Sequence, residues 1–176
     1  MKILKISIAV FTVIVCLAVI FHQKLISIII LPQYIEWAAE TEVRGLQAGV
    51  ALNEQQLLIA REIGIQNPQK VRLVYVDEVP FPRENTVLNA VGEALGFIGE
   101  GIINNAQVFG YSIYIRTGYP LTTSNLAHEL VHVLQIERSS LAQVITQHFA
   151  DLVAYGYADS PLEVEAFKAN ERYRVR

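Results

Sequence analysis

LAHELVHVLQIE, residues 126–137, governs how the whole chain is read. At its centre stand His128, Glu129 and His132. Two histidines four apart on a helix project from one face, one turn above the other. Their imidazoles can share one metal ion. Glu129, beside the first histidine, is placed to take a proton from a water that such a metal activates. The flanks are apolar and helix-favouring. The segment therefore reads as a helix packed on a core, not as a solvated helix carrying two unrelated histidines.

Thr122, Thr123, Ser124 and Asn125 crowd the start of this helix, and any of them can cap it. Ser139 and Ser140 end it. A second helix is expected from about Leu141 to Tyr157, and a third from Pro161, a favoured first-turn residue. Upstream, residues 33–62 read as helical, with Gly45 and Gly49 as candidate breaks. Residues 71–76, VRLVYV, read as a strand and 85–97 as a helix. Residues 107–116, QVFGYSIYIR, alternate as a strand does, and could bind substrate along an edge. The order of elements predicts an α+β fold in which a small sheet packs on the motif helix.

The chain has 176 residues, enough for one modest domain with a real core. Residues 6–21 carry no charge, and the apolar character resumes after Lys24 up to Pro32. That length suffices for a tilted transmembrane helix, so residues 1–32 are expected to anchor the chain in a membrane and 33–176 to form the domain. Lys2 and Lys5 favour a cytoplasmic N-terminus. The expected location is then a single-pass inner-membrane protein with its domain on the extracytoplasmic side. A cleaved signal peptide is the rival reading, but no small-x-small site follows the apolar run. Cys16 is the only cysteine and excludes an intrachain disulfide. Three of the 14 Lys and Arg lie in the first 32 residues while all 17 acids follow, so the remainder is acidic by six charges. That balance argues against a nucleic-acid partner.

A catalytic zinc usually takes three protein ligands and keeps one position for water. Gln135 and Arg138 stand where a metzincin would carry glycine and histidine, which excludes that class. Glu137 lies roughly 140° around the helix from His132 and cannot reach the same ion. Asp151 is possible but lacks a supporting pattern. The segment PLEVEAF, 161–167, is the best source, on an acidic helix beyond the motif. Its Glu163 and Glu165 are about 200° apart on a helix, so only one can bind.

HELVHVLQ with PLEVEA resembles small bacterial gluzincin-like metallopeptidase domains. GYSIYIRTGY and GYADSPLEVEA look like a group of uncharacterised bacterial membrane-associated HExxH proteins. The likeness spans about residues 70–168. It implies a zincin-like fold with Glu163 as third ligand beside His128 and His132, and Ala166 at a small packing position. The next position, acidic in that pattern, is Phe167 here. The resemblance implies a membrane-anchored zinc (Zn2+) peptidase, with Glu129 as general base and a peptide or protein as substrate. Tyr119, Tyr155, Tyr157 and His148 are candidates to stabilise an oxyanion. The alternative is a non-catalytic envelope protein, either metal-free or with a structural zinc closed by His148 as fourth ligand.

Overall fold

The computed structural model describes residues 26–94 and 96–174. A π-helical turn, Ile26–Ile30, runs into α1 (Leu31–Ala48). There follow β1 (Val50–Ala51), α2 (Glu54–Ile63), a short 3-10 turn at Pro68–Lys70, β2 (Arg72–Val76) and α3 (Thr86–Ala94). The hairpin β3 (Ala106–Phe109) and β4 (Ser112–Arg116) precedes three helices, α4 (Thr123–Arg138), α5 (Leu141–Tyr155) and α6 (Pro161–Tyr173).

The four strands form one mixed sheet in the order β1-β2-β4-β3. β2 and β4 run parallel and the two outer pairings are antiparallel. Register places Leu73 beside Ile113 and Val74 beside Tyr114. Side chains alternate across a strand, so each neighbouring pair points to one face. Leu73, Ile113 and Ile115 pack with Leu126, Leu130 and Val133 of α4. Val74 and Tyr114 pack on the opposite side with Tyr34 and Ala38 of α1. The sheet is thus covered by α1 on one face and by the motif helix on the other. This is the expected α+β class, with a small mixed sheet.

The membrane-spanning part of the expected fold is corrected, and with it the single-pass inner-membrane location. Among the described residues no helix is long and apolar enough to cross a bilayer. Residues 1–25, which carry most of that expectation, lie outside the described residues. The described end of the apolar run has a different use. Ile30 and Leu31 are buried with Tyr34, Ala38 and Leu88. Their hydrophobicity serves the domain core, and α1 runs through the expected boundary at residue 32.

Two glycines explain departures from the sequence pattern. α1 does not break at Gly45 but continues to Ala48. A Cβ at Gly45 would come within 2.6 Å of the Ser112 side chain, so this glycine lets the helix lie close on β4. Ser112 Oγ then donates to the Glu42 carbonyl at 2.9 Å, and the Tyr114 hydroxyl to the Thr41 carbonyl at 2.8 Å. Residues 107–116, expected as one strand, instead fold back on themselves. Gly110 has φ +59° and a Cβ there would overlap the Glu42 carboxylate, which accepts from the Tyr111 N–H at 2.9 Å. β4 therefore lies inside the sheet and β3 forms its edge. α3 starts later than expected because Asn85 caps it, accepting from the N–H groups of Val87 and Leu88 at 3.1 Å each.

Candidate metal centre

α4 begins where the Thr122 hydroxyl accepts from the Asn125 N–H at 3.2 Å. The helix buries most of its surface, including His128 and Glu129. α6 runs along it. Along one stripe of α6 lie Glu163, Ala166, Asn170 and Tyr173, spaced at helical intervals. Ala166 is fully buried, and its small side chain lets the two helices approach closely. Glu163 sits in the first turn, where the helix dipole favours a carboxylate.

This approach brings His128, His132 and Glu163 together. The two Nε2 atoms are 3.2 Å apart. Glu163 Oε2 is 3.4 Å from His128 Nε2, and Oε1 is 3.6 Å from His132 Nε2. Ligands about 2.0–2.1 Å from a tetrahedral ion stand roughly 3.3 Å from one another, which is the spacing here. Glu163 is only 4 % exposed, and its Oε2 is buried with no hydrogen-bond partner. Each histidine has its other ring nitrogen engaged: His128 Nδ1 lies 2.7 Å from Asn170 Oδ1, and His132 Nδ1 lies 2.9 Å from Gln135 Oε1. With acceptors opposite both Nδ1 atoms, two ring nitrogens and a carboxylate converge on one point. A buried group of that kind could hold a metal ion.

Glu129 is buried beside His128. Burial pushes its carboxyl up to about 7; the nearby His128 opposes this and the Glu163 charge adds to it. Tyr119 is also raised, by burial and then by the Glu129 charge. Tyr157 exposes more than half of its surface, but where its hydroxyl meets the group desolvation raises the phenol, as do the charge of Glu163 and the hydrogen bond to it, and the Glu129 charge reaches it too. Its ring stacks edge-on to Phe167, which in turn lies against the His128 ring. These two tyrosines flank the group. Tyr155 is exposed at the end of α5.

The other sequence candidates lie outside the donor group. Glu165 turns away: its Oε2 accepts from Gln135 Nε2 at 2.9 Å and its Oε1 pairs with Arg138 at 2.6 Å. Asp151 is buried, and its Oδ1 accepts from Gln147 Nε2 at 2.7 Å. Burial pulls the His148 imidazole below its usual value; Glu163 and Asp151 push the other way and His132 adds to the lowering. It is close enough to feel the site, yet it is not one of the donors that lie within 4.8 Å of each other. Among the described residues the group therefore has three protein donors.

Sequence reasoning missed Asn170 and the structural use of Glu137. Glu137 accepts from the Gln66 N–H at 2.7 Å, the Asn67 N–H at 3.0 Å and the Tyr111 hydroxyl at 2.8 Å. It pins the end of the motif helix to the turn before β2 and to the hairpin. Asn170 did carry a signal, since it lies seven residues from Glu163 and hence on the same helix face. Compared with known protein families, with curated proteins and with solved structures, the chain matches none.

Proposed function

We propose that this chain is a zinc-dependent peptidase of gluzincin-like type, with His128, His132 and Glu163 as ligands and Glu129 as general base. The observation that carries the reading is the three-donor group with the buried Glu129 carboxyl beside it. Structural zinc sites are closed by four protein ligands, whereas catalytic ones keep a position open. Three donors favour the catalytic reading. The two-nitrogen, one-oxygen donor set suits zinc.

Zinc bound there would supply Lewis acidity, bringing a water within reach of deprotonation near neutral pH and polarising a substrate carbonyl. The remaining steps belong to the protein. Burial raises the Glu129 carboxyl in the metal-free group, and a dication bound beside it would pull it back down, leaving a carboxylate able to accept a proton at neutral pH. Glu129 takes the proton of the attacking water and returns it to the departing amine nitrogen. Tyr119 and Tyr157 carry their phenol protons at neutral pH, as phenols do, and both are shifted further in that direction. Either can donate to the oxygen on which negative charge develops.

Glu129→Gln tests this. Hydrolysis of an unstructured casein-type substrate should fall by about 100-fold or more, while zinc content stays equal to wild type. Hydrolysis that persists at the wild-type rate removes Glu129 from the chemistry.

A further inference from the structure

We propose that Gln135 and Asn170 are the positioning residues of the metal group, and that both must be amides rather than carboxylates. The proposal rests on the metal reading above and deepens it.

Each amide is oriented by partners on its far side. Asn170 Nδ2 donates to the Ser124 carbonyl at 3.0 Å and to Ser124 Oγ at 3.3 Å. The Ser124 hydroxyl donates in turn to the Asn170 carbonyl at 2.8 Å. This directs Asn170 Oδ1 at His128. Gln135 Nε2 donates to the Leu162 carbonyl and to Glu165 Oε2, both at 2.9 Å. This directs Gln135 Oε1 at His132. Rotating either amide by half a turn would set oxygen against a carbonyl and lose these bonds.

An acceptor opposite Nδ1 places the ring proton there. Both histidines then present unprotonated Nε2 atoms to the same point, 3.2 Å apart. The tautomers are set by contacts outside the donor group, before any ion arrives. Metal-bound histidines elsewhere often lean on a carboxylate for this task. A carboxylate fails here. Aspartate at 170 would face the Ser124 carbonyl, and glutamate at 135 would face both the Leu162 carbonyl and the Glu165 carboxylate. Each position must accept on one side and donate on the other, which an amide does and an ionised carboxylate does not.

The arrangement also accounts for two features of α6. The ring of Phe167 packs on His128, with the centroids 5.2 Å apart. Asn170, one turn further on, makes the contact to Nδ1. Glu165 holds Gln135 and is itself held by Arg138. The group keeps a single carboxylate among its donors and neutral amides behind its imidazoles. A divalent ion there retains net positive charge, which favours polarisation of a carbonyl.

The experiment has two arms. Nitrogen-15 NMR of the metal-free wild type, at a pH where both imidazoles are neutral, should find His128 and His132 protonated at Nδ1. Cobalt(II) titration of wild type, Asn170→Asp and Gln135→Glu, read by visible absorption with chelator competition, should give affinities 10–100-fold weaker in both variants. Thermal melting verifies that each variant is folded. An Nε2-protonated tautomer at either histidine overturns the proposal, whatever the variants do. Variants that bind cobalt as tightly as wild type overturn it while leaving the metal reading intact. Wild type that takes up no cobalt overturns both.

Discussion

Glu163→Gln should change stability in opposite directions with and without metal. The substitution keeps the shape of the side chain, removes its charge and adds a donor. In metal-free protein near pH 9 the wild-type carboxylate is buried, with Oε2 unpartnered, against two unprotonated ring nitrogens. An unsatisfied buried acceptor costs about 1–3 kcal/mol. The glutamine amide could donate to one of those nitrogens, so the variant should gain about 2 kcal/mol, or roughly 4–8 °C in Tm for a chain of this size. Acidification should erode that lead. Burial pulls the His128 imidazole down, but Glu163, Glu129 and Asn170 together raise it above its usual value. The resulting ion pair stabilises wild type fully below about pH 6.5 and is lost as pH rises through the higher folded-state value. Zinc should reverse the order. At about 1,000 times the wild-type Kd it stabilises wild type by roughly 4 kcal/mol, whereas a variant binding about a thousandfold more weakly gains about 0.4 kcal/mol. Thermal melts in chelator and in zinc read both effects. The reasoning fails if the variant melts below wild type in chelator at pH 9, or if zinc raises both proteins equally.

Glu137→Gln should destabilise the fold by about 1–3 kcal/mol at pH 7, measured by urea unfolding, because one carboxylate serves four donor groups that bridge α4, the turn before β2 and the hairpin. Burial pushes this carboxyl up, but the Gln66, Tyr111 and Asn67 donors more than reverse it, so its folded value is depressed. The wild-type advantage should hold above about pH 4.3 and fade as pH falls through the folded value; an advantage that grows on acidification would contradict the assignment. Gly45→Ala should cost about 1–2 kcal/mol despite alanine's better helix propensity, since its Cβ overlaps the Ser112 side chain. A lower denaturant midpoint with unchanged slope is the expected readout, and a stabilised variant would refute the close packing of α1 on β4.

The sequence carried the donor residues because a helix converts a spacing of four into a shared face, and because Pro161 marks where the third helix begins. It carried the sheet only in outline. QVFGYSIYIR alternates as a strand, yet nothing local reveals that Glu42, far upstream, fills the space at Gly110 and caps a turn there. Ile30 and Leu31 look like the end of an apolar span because core and bilayer both select the same side chains. Their packing on Tyr34 and Leu88 is a tertiary fact. The partners of Glu137 and Asn170 lie some 26–71 residues away in the chain, beyond the reach of any periodicity argument. Glu165 and Gln135 were legible as polar residues, but their joint orientation depends on how α6 lies along α4.

Zinc-edge X-ray absorption on the stoichiometrically loaded protein tests the metal centre most directly. The account predicts a shell of nitrogen and oxygen at about 2.0–2.1 Å with outer scattering from two imidazoles. A third imidazole, as His148 would contribute, or the absence of stoichiometric zinc after loading, would contradict it.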